Sequence, residues 1–148
     1  MIRIRAIQSK DLKDFVKYVN NLRADKPAAK LATRPYTRAK KWAEFGIKSK
    51  KGSFLVVEDR GKIVGHCNLY KKEDRIEVGV TLLKVYRGKN IAKAALKRIL
   101  AWAKARGTKT VFAGIKKKNI KSLALFQSIG FKIIKEKNKK SYLLEKKL

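Results

Sequence analysis

The chain has 148 residues, 45% of them hydrophobic, which is enough for a sizeable core, and no stretch long and apolar enough to span a bilayer, so no membrane is expected. Forty basic side chains oppose eleven acidic ones, giving +29, an imbalance that ion-pair networks of a thermophilic surface would not leave. One cysteine, Cys67, excludes an internal disulfide and a multi-cysteine metal site, and no metal is expected. IRIRAI alternates as a first strand. It lacks the apolar region and cleavage site of a signal peptide, so a cytoplasmic location is expected. Ser9 is the expected cap of a helix whose Leu12, Phe15, Val16, Val19 and Leu22 share one face. A polar connection leads to Thr37, the expected cap of a second helix carrying Trp42, Phe45 and Ile47, weakened by Gly46 and ended by Lys51-Gly52. SFLVVE and KIVGHCNLY flank Asp59-Arg60-Gly61 as a hairpin, and Cys67 in the second strand reads as a buried thiol.

KKEDR turns the chain into RIEVGVTLL, with Ile76, Val78, Val80 and Leu82 on one face and Glu77, Gly79 and Thr81 on the other. The basic, glycine-containing YRGKNIAKAAL (Tyr86 to Leu96) then enters a helix in which Ala92, Ala95, Leu96, Ile99, Leu100 and Ala103 recur at helical spacing until Arg106-Gly107. The first N–H groups of such a helix have no intrahelical partner and the dipole adds positive charge, so the turn suits an anion. It has neither the Gly-Lys-Ser/Thr ending of a P-loop nor the three glycines of a dinucleotide fold. TVFAGI follows as a strand. NIKSLALFQSIGF reads as a short helix capped by Asn119, with Ile120, Leu123 and Phe126 as an inward stripe and Gly130 as the left-handed stop. KIIKE and SYLLE flank KNKK as a closing antiparallel pair. No repeat, linker or composition break divides residues 1–148, so a single domain is expected.

The Arg87-to-Ala92 turn resembles the pyrophosphate loop of the GNAT acetyltransferase superfamily, Gln/Arg-x-x-Gly-x-Gly/Ala, with Asn90 in place of the first glycine. NIKSLALFQSIGF resembles a later signature of the same superfamily, in the same order and separation. Within it, the chain resembles the branch that acetylates ribosomal proteins and N-termini. The resemblance implies an α/β fold, a central mixed and mostly antiparallel sheet of about seven strands with helices on both faces. It also implies acetyl-coenzyme A as co-substrate. Its pantetheine arm would lie between RIEVGVTLL and TVFAGI against Leu82, Leu83 and Val85, and its pyrophosphate on Arg87, Gly88, Lys89, Asn90, Ile91 and Ala92. Asn119 and Phe126 would complete the coenzyme site, Phe126 standing where many members carry a tyrosine that protonates the leaving thiolate.

Acetyl transfer to an amine requires a proton acceptor and an oxyanion donor. Glu77, on the strand feeding the loop, is the first base candidate, with a salt bridge to Arg75 or a lysine as the alternative role. His66, the only histidine, is the second, its other reading being a structural strand residue. The oxyanion donor is expected to be a main-chain N–H near Leu83. Ser122 and Tyr86 are candidates to assist the thiolate in place of the missing phenol. The acceptor is an amine, and the charge leaves an anionic or nucleic-acid-associated one open beside a merely solvated surface. Val78 to Lys135 contains no acid, and Lys26 to Lys51 carries nine basic residues around Glu44, with Tyr36 and Trp42 among them. The functions that follow are an N-acetyltransferase of protein N-termini or small amines, an RNA-associated acetyltransferase, or a non-catalytic coenzyme-binding module. A second copy of the chain, forming a homodimer, is the remaining candidate partner.

Overall fold

The computed structural model describes residues 1–22 and 36–148. Lys26, Lys30, Arg34 and the rest of the polar connection lie outside the described residues, as do the side chains of Tyr36 and Thr37. Strands β1 (Ile2–Ala6), β2 (Phe54–Asp59), β3 (Lys62–Lys72), β4 (Arg75–Leu82), β5 (Thr110–Lys116), β6 (Lys132–Asn138) and β7 (Ser141–Lys147) build, among the described residues, one seven-stranded sheet in the order β1-β2-β3-β4-β5-β7-β6. All neighbours run antiparallel except β4 and β5, which are parallel and share one registered pair, Glu77 with Phe112.

Helices cover both faces. On one, α1 (Leu12–Leu22) and α2 (Tyr36–Lys48) pack Phe15, Tyr18, Val19, Leu22 and Ala43 against Phe54, Val56 and Ile63. On the other, α3 (Ile91–Ala105) and α4 (Ile120–Ser128) pack Ala95, Leu96, Ile99 and Phe126 against Cys67, Val78, Val111, Ala113 and Leu144. The period-two and helical stripes of the sequence are the stripes that meet here, because each element must hide its apolar side from water.

Two expectations need correction. The turn before α1 is held by the Gln8 N–H donating to Asp11 Oδ2 at 2.7 Å, not by Ser9. Asp11 can reach that N–H because Arg5 clamps the same carboxylate at 2.7 and 2.8 Å. Ile120, placed in an inward stripe, is 74% exposed, and Phe45 of α2 is 57% exposed. In α4 only Phe126 is fully sheltered, since a helix of nine residues offers little more than two turns to the sheet.

The stops behave as the sequence implies. Gly130 takes φ 101°, the Phe131 N–H donates to the Phe126 carbonyl at 3.0 Å and the Gly130 N–H to that of Gln127 at 3.1 Å. These two bonds satisfy carbonyls that the helix end leaves open. The Asn119 side chain accepts the Ser122 N–H at 3.2 Å at the other end, the cap that was expected.

Candidate active site

The parallel β4–β5 contact ends at Glu77 and Phe112, so beyond it the strands part as a wedge that opens toward Leu82 and Lys116. The Leu83 N–H donates to the Val64 carbonyl of β3 at 2.9 Å. It is therefore engaged, and the oxyanion donor expected near Leu83 has to be a neighbouring N–H. Because N–H groups alternate sides along an antiparallel strand, those of Val80 and Leu82 turn away from β3 toward the wedge. Leu82 itself is buried, Leu83 is half-buried, and Val85 beyond it is 70% exposed.

At the open end of the wedge the chain makes the basic turn. Gly88 lies at φ 75° and Asn90 at φ 62°, ψ 11°, the left-handed region in which asparagine is among the least strained of side-chain-bearing residues. That explains how asparagine can stand where the family pattern has glycine. Asn90 caps α3 with its main chain alone: its carbonyl accepts the Ala94 N–H at 3.1 Å, the first bond of the helix. The N–H groups of Ile91, Ala92 and Lys93 precede that ladder and point out of the helix end. Gly88, Lys89 and Asn90 are exposed, and Ile91 and Ala92 half-buried. Arg87 turns back, its Nε donating to the Leu82 carbonyl at 3.0 Å, and so braces the turn against the end of β4. The turn places Gly88 and Ala92 among cationic side chains at a helix end with open N–H groups and no acid, and suits a pyrophosphate.

At the closed end sits Glu77, with none of its side chain exposed. It accepts hydrogen bonds from Arg75 Nε at 2.9 Å, Lys137 Nζ at 3.1 Å and the Tyr70 hydroxyl at 3.3 Å. Burial alone would raise its pKa, but the bonds from Arg75 and Lys137 outweigh burial and hold the carboxyl below its ordinary range. The same surroundings push the Tyr70 phenol up to about 12, burial first and the Glu77 charge second. A carboxylate so held is a weak base and a strong anchor for cations. Lys137 and Tyr70 escaped the sequence reading: among forty basic side chains nothing local marks Lys137, which reaches Glu77 from β6.

The remaining candidates fall in different places. His66 is 2% exposed inside the α1/α2 core, ringed by Phe15, Trp42 and Phe54, with Nδ1 2.9 Å from the Tyr18 hydroxyl. Its structural reading is the one the packing supports, and the base role is corrected accordingly. Tyr86 donates its hydroxyl to Asp59 Oδ2 at 2.7 Å and is not available to a thiolate. Ser122 is half-buried in the first turn of α4, its N–H already held by Asn119. Phe126, assigned to the coenzyme sulfur, is 3% exposed and stacks edge-on with Phe131 at 5.1 Å, a core contact. Cys67 is fully buried, and burial pushes its thiol pKa up, as expected of a packing residue.

Residues 2–132 match the family model of the acetyltransferase (GNAT) domain. An uncharacterized N-acetyltransferase of Mycobacterium bovis is 30% identical over 95 residues, which make up 63% of this chain and 60% of that protein. An uncharacterized protein of Methanocaldococcus jannaschii is 32% identical over 84 residues, 55% of this chain and 17% of its own length. The match thus spans less than two thirds of these curated relatives. Among solved structures, the PaiA N-acetyltransferase of Thermoplasma acidophilum in complex with coenzyme A superimposes with a TM-score of 0.80 at 18% identity, covering 100% of this chain and 99% of that one. The ribosomal-protein-alanine N-acetyltransferase of Brucella melitensis gives 0.78 at 21% identity, covering 99% of both chains. No helix among the described residues is long and apolar enough to cross a membrane.

Proposed function

Because the chain belongs to the acetyltransferase (GNAT) family, we propose that it is an acyltransferase taking acetyl-coenzyme A as co-substrate and a primary amine, of a protein N-terminus or a small molecule, as acceptor. The observation that carries the proposal is the wedge between β4 and β5, which leads from the buried Glu77 to an acid-free turn with open N–H groups. The coenzyme supplies an activated acetyl thioester. The N–H groups of Gly88 to Ala92 hold its pyrophosphate, and those of Val80 and Leu82 pair with its amide arm as an added strand would. One of these two, both close to Leu83 in the chain, also serves as the oxyanion donor. Glu77 attracts the acceptor's ammonium and orders the water through which its proton leaves, its own lowered pKa making it an anchor first and a base second. The names of the Thermoplasma and Brucella structures, one bound to coenzyme A and one acting on ribosomal protein, support this reading.

The test is the turn itself. Ala92→Glu sets a carboxylate against the pyrophosphate and is expected to weaken acetyl-coenzyme A binding by about 100-fold or more. Calorimetry reads it directly. Unchanged affinity in a folded variant would remove the coenzyme from this turn and with it the proposed reaction. The +29 charge and the absence of any acid from Val78 to Lys135 favour an acceptor presented on nucleic acid as the second reading.

A further inference from the structure

We propose that Lys137 is a site of self-acetylation, the chain's own amine lying where the proposed reaction brings an acceptor amine; the inference rests on that reaction. Lys135 pairs with Leu143, Glu136 with Tyr142 and Asn138 with Ser141, so Lys137 is the extra residue of a bulge in β6. A bulge re-aims the side chain it carries. With β7 between β6 and β5, the stem of Lys137 must cross β7, and it comes to lie over Gly114 of β5. A Cβ at Gly114 would stand 2.5 Å from Nζ and 3.1 Å from Cδ, so the Lys137 side chain occupies the space that a side chain at Gly114 would take. The amine ends 3.1 Å from Glu77 Oε1, at the residue where β4 and β5 make their single registered pair. Bulge, glycine passage and buried carboxylate together deliver one amine to the closed end of the wedge, with 18% of its side chain exposed.

The groups facing this amine are Glu77 directly, Arg75 and Tyr70 through the same carboxylate, and Lys72. Burial lowers the pKa of Lys137, Glu77 opposes, and Lys72 lowers it further, so the net direction is down and more of the amine is the neutral nucleophile. In the reaction Nζ loses one proton to water and attacks the carbonyl carbon of the acetyl thioester. The N–C bond forms and the C–S bond breaks. The thiolate of coenzyme A leaves and takes the second proton shed by the nitrogen. In sum, one ammonium and one acetyl thioester give one acetamide, one thiol and one proton.

The experiment incubates the full chain with acetyl-coenzyme A carrying a deuterated acetyl group and follows each lysine by peptide mass spectrometry. Lys139 and Lys140, exposed on the same hairpin, report chemical acetylation by the reagent alone. A positioned amine reacts as one half of an intramolecular pair. Lys137 is therefore expected to label at least about tenfold faster than either neighbour, at a rate independent of protein concentration. In Ala92→Glu the fast label should disappear while slow labelling of Lys139 and Lys140 persists, and Lys137→Arg confirms the assignment of the fast site. Equal rates at the three lysines, with calorimetry showing bound acetyl-coenzyme A, would refute self-acetylation and leave the proposed function standing. A rate proportional to protein concentration would overturn the intramolecular step, and absence of coenzyme binding would overturn both proposals.

Discussion

Glu77 carries the sharpest conflict between chemistry and packing. Its three partners hold it as an ion-paired strand residue would be held, yet it closes the wedge in which the proposed chemistry takes place. Glu77→Gln keeps the shape and removes the charge, leaving Arg75 and Lys137 against a neutral amide at a cost of about 2 kcal/mol, reduced from a fully buried pair because both cations reach solvent. The expected kinetic result is a loss of about 100-fold in kcat/KM for the amine, with coenzyme affinity nearly intact. Loss of coenzyme binding in step with activity would assign Glu77 to structure alone. Since its folded pKa is depressed, its contribution to stability is complete above the ordinary glutamate range and is lost as pH falls through the folded value. The strand alternation already put Glu77 on the face opposite Val78 and named a pair with Arg75 or a lysine as the competing role. Which lysine could not be read, because the partner lies 60 residues away on another strand.

Elements were more legible than their contacts. The helix after Asn119, its Gly130 stop, the hairpin at Asp59 to Gly61 and the strands around the basic turn follow from local caps, turns and periodicity, all of which act over a few residues. The bulge at Lys137 does not, since it arises from the register of two strands and leaves no mark in either one's pattern. The exposed Ile120 was misread for a related reason: a hydrophobic residue at helical spacing is buried only if another element comes to meet it. Asn90 offers a test at this scale. With φ 62° it should tolerate Asn90→Gly, whereas Asn90→Ala should cost about 1 kcal/mol in thermal unfolding and weaken coenzyme binding by tilting the N–H groups that follow. Equal stability of the alanine and glycine variants would show that this turn stores no left-handed strain.

For the whole molecule the open question is charge. Any protein at +29 binds polyanions with steep salt dependence, so affinity for RNA alone decides nothing. Replacing Lys40, Lys41, Lys48, Lys50 and Lys51 with glutamine tests one surface, that of α2 and the turn after it, which lies outside the coenzyme turn. If that surface presents nucleic acid to the site, acetylation of an RNA-bound amine should fall while that of the free amine and the affinity for coenzyme stay the same. Equal rates on both acceptors, before and after replacement, would leave the charge as solvated surface.

The single β4–β5 pair has a mechanical consequence. The strands β1 to β4 and β5 to β7 are two antiparallel blocks joined edge to edge at one point, with helices bridging the faces. A sheet with such a seam can flex there at little cost in hydrogen bonds, whereas each block is stiffened by full ladders. A ligand arm lying in the seam would add the missing rungs and couple the blocks. Saturating acetyl-coenzyme A is therefore expected to slow amide exchange most at Val80 and Leu82, the rim of the seam, and least at β1, the far edge. Uniform protection across the sheet would mean that the two blocks already move as one.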